Sequence, residues 1–147
     1  PHARWVAGDV AIDLDAKGRV SVNGEHRFTI DAAGRIFDAD DVPIALLLRD
    51  GHLIGNDDKP LGWVGADQAV MPDAEHSWLI LRPTGELIRL DGERPRPFGV
   101  WMGCTQVRYT TQSCLLVSHL VGIELSQAAR ERGPSVGFGF GVSIPIR

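Results

Sequence analysis

Gly34-Arg35-Ile36-Phe37 runs into Asp40-Asp41-Val42-Pro43-Ile44, and seventeen positions on, Gly51-His52-Leu53-Ile54 runs into Asp57-Asp58-Lys59-Pro60-Leu61. Both stretches hold the same order: a glycine, a short apolar run, an acidic pair, a proline and an apolar return. Gly85 lies 34 positions beyond Gly51, and Gly18 precedes Gly34 by 16. The copy at Gly85 keeps Glu86-Leu87-Ile88-Arg89 and Asp91-Gly92, with its proline displaced to Pro95. In the degenerate copy between, Gln68 takes the glycine position and Trp78-Leu79-Ile80-Leu81 still delivers an apolar run.

Each copy reads as one hairpin. Asp50-Gly51 is a strong turn signal, because glycine tolerates positive φ and aspartate accepts hydrogen bonds from nearby backbone. Lys17-Gly18, Asn23-Gly24, Ala33-Gly34, Thr84-Gly85 and Asp91-Gly92 repeat that punctuation. Between turns, Arg19-Val20-Ser21-Val22 and Arg27-Phe28-Thr29-Ile30-Asp31 alternate with the period of a half-buried strand. A single such hairpin cannot bury its apolar face, and stacking of neighbours solves the problem. The acidic clusters Asp13-Asp15, Asp38-Asp40-Asp41 and Asp57-Asp58 are explained by turn capping; a calcium loop would want Glu where Gly24 stands.

The pattern breaks near Thr110. From Gln112 to Arg132, Cys114, Val117, Val121, Leu125 and Ala128 fall on one helical stripe, and Gly133-Pro134 ends it. Phe138, Phe140, Val142, Ile144 and Ile146 then alternate with small residues, as in a strand with one bare face. The expected fold is therefore mainly β. An antiparallel hairpin meander forms a small barrel or curled sheet, with one C-terminal helix packed on it and a final Gly-alternating strand. The expected layout is a single domain over 1–147, with hairpins of about 17 residues over 5–101, a Cys-bounded loop over 102–113, the helix over 112–132 and the strand over 135–146.

With 147 residues, 44% of them hydrophobic, the chain can bury one core and is not disordered. A net charge of -4 argues against a domain built to bind nucleic acid or an anionic membrane. No apolar stretch is long enough to span a bilayer as a helix. Cys104 and Cys114 stand ten positions apart. A disulfide closing that loop contributes roughly 3 kcal/mol and points to a periplasmic, cell-envelope or secreted setting, with a cytoplasmic one left open.

Catalytic motifs are weak. The five histidines show no metal spacing, and no Gly-x-Ser-x-Gly elbow or phosphate loop occurs. His119 follows Cys114 by five residues, but such a pair along one helix is poor catalytic geometry and a disulfide removes the nucleophile. The segment Trp101 to Tyr109 mixes aromatic, Met, Arg and polar residues in an expected loop, as recognition rims do. Trp101, Gln106, Arg108 and Tyr109 are the candidate binding residues, with Arg94 and Arg96 expected as a rigid basic patch beside them. No catalytic residue, cofactor or metal is assigned. The leading expectation is a non-enzymatic exported or envelope domain acting through a protein partner or self-association. A small-ligand barrel with its pocket between helix and sheet is the alternative. A hydrolase-type enzyme with a site assembled from scattered Asp, His and Arg comes third.

Overall fold

The structure, a computed structural model, describes the backbone of residues 3–104 and 111–132 and the side chains of 3–104 and 112–124. Twelve strands come first: β1 (Ala3–Ala7), β2 (Val10–Leu14), β3 (Arg19–Val22), β4 (Glu25–Ile30), β5 (Arg35–Asp38) and β6 (Pro43–Leu47). They continue with β7 (His52–Gly55), β8 (Pro60–Val64), β9 (Gln68–Val70), β10 (Ser77–Leu81), β11 (Glu86–Arg89) and β12 (Arg96–Met102), before the helix α1 (Thr111–Arg132). Every strand pairs antiparallel with its sequence neighbours, and β1 pairs with β12 to close a barrel. The expected hairpin meander is what forms. The final strand expected over 135–146 lies outside the described residues.

The seventeen-residue period has a backbone cause. At one end of the barrel the chain turns through Asp15 to Arg19. There Asp15 N–H donates to Arg19 O and Gly18 N–H to Asp15 O, both at 3.0 Å, with Gly18 at φ +81°. That is a three-residue loop whose last position is left-handed, a conformation glycine adopts freely. The same bonds recur at Asp31 to Arg35, Leu48 to His52 and Arg82 to Glu86. Aspartate carboxylates cap these turns. Asp15 Oδ1 accepts from the N–H groups of Lys17 and Arg19, each at 2.9 Å, and Asp31 Oδ1 accepts from those of Ala33 and Arg35. Two of the acidic clusters are thus used as caps, since Asp38 Oδ1 also accepts from Asp40 and Val42 N–H.

The glycine of each of these four turns is also bonded across its own hairpin. Its carbonyl accepts from the second strand: Gly18 from Ile30, Gly34 from Leu47 and Gly51 from Val64 at 2.8 Å, and Gly85 from Trp101 at 2.7 Å. In the degenerate copy the carbonyl of Asp67 does this, accepting from Leu81 N–H at 2.8 Å. Asp67, and not the expected Gln68, therefore holds the glycine position. Sequence alignment of the copies missed this because the turn there is closed more tightly, by Gly65 N–H donating to Gln68 O. The register also shifts once within β3–β4, β5–β6, β7–β8, β9–β10 and β11–β12. Such irregularities bend and twist strands, and a bend in each hairpin is what curls a sheet into a closed wall.

Alternation then places one apolar ring inside. Ala3, Leu14, Val20, Ile36, Leu53, Val64, Ala69, Leu81, Leu87 and Trp101 are all buried, and cross-strand register sets Ala3 beside Leu14, Val64 beside Ala69 and Leu81 beside Leu87. The compact unit that holds the barrel runs to Val117, and a second unit begins at Ser118, so the boundary falls inside α1. The opening of α1 packs on the barrel, where Gln112 Nε2 donates to Val64 O at 3.0 Å. Cys114, Leu115, Leu116 and Val117 are each no more than 1% exposed. Four consecutive helical residues sample the whole circumference, so this turn is enclosed on every side rather than along the single stripe expected.

Gly85 and Gly24 separate two effects of the same substitution. Both have positive φ, but a Cβ at Gly85 collides with Trp101 O whereas at Gly24 it meets nothing within 4 Å. Gly24→Ala is expected to cost about 1 kcal/mol and Gly85→Ala about 2–4 kcal/mol in urea unfolding. Equal losses would show that the close approach at Gly85 carries no weight.

Candidate functional site

β12 carries the residues that matter, and its two ends present different chemistry. At its start, Arg89 from the neighbouring strand lies between two rings, its guanidinium carbon 5.5 Å from the Trp78 centroid and 5.1 Å from that of Phe98. Arg89 Nε donates to Asp91 Oδ1 at 2.7 Å, and Arg96 Nη2 stands 3.6 Å from the same oxygen. The Arg89 hydrogen bond is the largest effect on the Asp91 carboxyl and holds it below its ordinary value of 3.8; partial burial opposes, and the charges of Arg89 and Arg96 add to the lowering. Phe98 also tilts against Trp5 at 5.5 Å, while Trp5 Nε1 donates to Phe98 O at 2.8 Å. This end is a stacked and paired cluster with its cations already engaged.

At the other end of β12 a cleft of about 260 Å³ opens between the β10–β11 turn, Leu81 to Gly85, and the segment Trp101 to Cys104. Its floor is apolar: Leu81 and Trp101 are buried. Its rim carries Arg82, which reaches Glu86 at 3.7 Å while its side chain stays 60% exposed, together with exposed Thr84 and Met102. The Cys104 and Cys114 sulfurs stand 2.11 Å apart, at disulfide distance, and join this rim to the first turn of α1.

The candidate residues separate accordingly. Trp101 belongs to β12 and is 2% exposed, so the expected loop begins later and the indole serves the core. Alternation explains this: in Val100-Trp101-Met102 the middle residue points inward. Arg96 is five residues from Trp101 along the same strand, at most about 17 Å at the usual rise, and stands at the opposite end of β12 from it. Arg94 is exposed in the β11–β12 connection. Gln106, Arg108 and Tyr109 lie outside the described residues.

What sequence reasoning missed is the outer face of the closing seam. Val6 pairs directly with Val100, and Arg4 with Met102, across β1 and β12. Val6, Val100 and Met102 are 39%, 47% and 59% exposed. The signal was present in β12, where bulky apolar residues occupy both faces. Only the β1–β12 pairing, 95 or so residues apart in sequence, brings Val6 to it.

Among the described residues no group of three or more His, Cys, Asp or Glu side chains could hold a metal ion, and no helix is long and apolar enough to cross a membrane. No protein-family model matches the chain, and neither a curated protein nor a solved structure matches it significantly.

Two outcomes follow from this geometry. Cys104→Ser with Cys114→Ser is expected to lower stability by about 3 kcal/mol, the loop-closure value for ten residues, as read by chemical denaturation. The lowered Asp91 pKa stabilises the fold above the ordinary carboxyl value, and this contribution is lost as pH falls through the folded value. Asp91→Asn is therefore expected to be less stable than the parent at pH 7 and to converge with it in acid. A constant gap across that range would rule out the ionised pair as the cause.

Proposed function

We propose that this chain is a non-enzymatic exported or cell-envelope domain that acts through protein contacts, with the outer face of the β1–β12 seam as its contact surface. The observation that carries this reading is the adjacent set Val6, Val100 and Met102, apolar and outward on two paired strands. Contiguous apolar area on a folded surface is costly in water and marks contact sites, and methionine is over-represented in them. Arg4, with Asp13 at 3.4 Å, gives the patch a charged border of the kind that rims an interface. The disulfide-distance pair supports the exported setting, because such bonds persist in oxidising compartments.

A closed barrel offers no strand edge for another chain to extend. Association through this domain is therefore a meeting of side-chain surfaces. A second reading, small-ligand binding, points to the cleft beside Cys104, whose 260 Å³ lies just below the usual range of ligand pockets.

Self-association is the form of contact open to direct test. Light scattering after size exclusion should show the parent mass rising with concentration, and Val100→Asp with Met102→Glu should hold the protein monomeric with an unchanged unfolding midpoint. A parent that stays monomeric at about millimolar concentration, the weak end of the affinity scale, would remove self-association from this reading.

A further inference from the structure

We propose that copies of this chain join end to end, with the Val42 turn of one copy seated in the cleft beside Trp101 of the next. The turn is the first ground. In six turns the amide of the first residue donates to the carbonyl of the fifth, and that fifth residue is Arg19, Arg35, Val42, His52, Lys59 or Glu86. Five of these are ionisable, as a solvated turn favours, and one is valine. Val42 is 50% exposed, and Pro43 beside it is exposed as well. Its backbone is held on both sides: Val42 N–H donates to Asp38 Oδ1 at 3.0 Å, and Asp38 N–H donates to Val42 O at 2.9 Å. An apolar tip fixed in this way loses little freedom on docking.

The cleft is the second ground. Strand direction alternates around the barrel, so the β5–β6 turn that carries Val42 and the β10–β11 turn that walls the cleft stand at opposite ends. The cleft holds about 260 Å³ above the buried Leu81 and Trp101, a space suited to a small side-chain tip. Interface anchors are apolar groups that fill pockets of this kind, with the surrounding contacts excluding water. A tip at one end and a cleft at the other give each copy both halves of one contact.

Charge is the third ground, and it selects the pairing of unlike ends. The six connections between strands at the Val42 end carry nine Asp or Glu against two Lys or Arg, whereas the five at the cleft end carry four against three. Two acidic ends repel each other. The cleft end offers no such repulsion, because Arg82 and Glu86 offset one another there at 3.7 Å. A contact between unlike ends is heterologous: every pair keeps one free tip and one free cleft, so assembly continues past the dimer. This contact stands apart from the seam of β1 and β12, which faces outward on the side wall.

The test is sedimentation velocity of the full chain up to about millimolar concentration. Val100→Asp removes the seam contact and leaves the cleft lining untouched, and in that background species larger than a dimer are expected to build with concentration. Adding Val42→Glu, the residue type that Glu86 supplies in an equivalent turn, should weaken association about tenfold with an unchanged unfolding midpoint. Thr84→Trp, which fills the cleft from its exposed rim, should weaken it likewise. Mixed in equal amounts, the Val42→Glu and Thr84→Trp chains hold one working tip and one working cleft between them, so heterodimers form and nothing longer does. Val100→Asp with Met102→Glu removes both contacts, because Met102 also lines the cleft. A monomeric Val100→Asp chain would overturn the proposal and leave the seam as the contact. Mass that stops at the dimer, association indifferent to Val42→Glu and Thr84→Trp, or a mixture without heterodimers would each overturn it too.

Discussion

An amide that donates to the carbonyl of a left-handed turn glycine fastens four hairpins of this barrel, each across its own width. Gly18, Gly34, Gly51 and Gly85 each accept such a bond, and at each the missing side chain leaves room for the donor strand's backbone. The turn and the close approach impose the same demand on one residue. Once that residue is fixed, the register of the hairpin follows, and with it which side chains face the core. The apolar ring that fills the barrel is thus a consequence of turn geometry as much as of hydrophobic pattern.

Much of this was legible, for a physical reason. Positive φ selects glycine, and a repeated left-handed turn writes itself into the sequence as a spaced glycine that can be counted. The cap at Asp15 was legible too, whereas Asp31, read as the end of an alternating strand, caps its turn in the same way. Asp67 was not, because any residue can lend a carbonyl, and its equivalence to glycine is visible only in the bond from Leu81. Closure of β1 on β12 was equally hidden: no periodicity encodes which first and last strands meet. The candidate site suffered most from this. Trp101 was drawn into a loop by its polar neighbours, whereas the strand that buries it extends to Met102.

The helix shows how one part of a pattern can be read correctly and its setting missed. Apolar residues at helical spacing do form α1, but Ser118 and His119 are buried as well, at 3% and 0% exposure. An amphipathic stripe and a helix enclosed all round can share the same apolar positions; they differ in what the remaining positions tolerate. The cleft and the disulfide beside this helix concentrate unusual chemistry at one end of the barrel, while the stacked arginine cluster occupies the other. The exposed valines lie on the wall between them, and Met102 reaches the rim of the cleft.

A wall assembled from near-equivalent units also has an adjustable girth. Gain or loss of one unit by gene duplication or deletion adds or removes two strands, and barrel diameter scales with strand number. Because each unit carries its own clasp, such a change leaves every other hairpin's bonding intact and alters chiefly the room around the enclosed turn of α1. Evolution could resize the lumen in discrete steps without inventing a new fold.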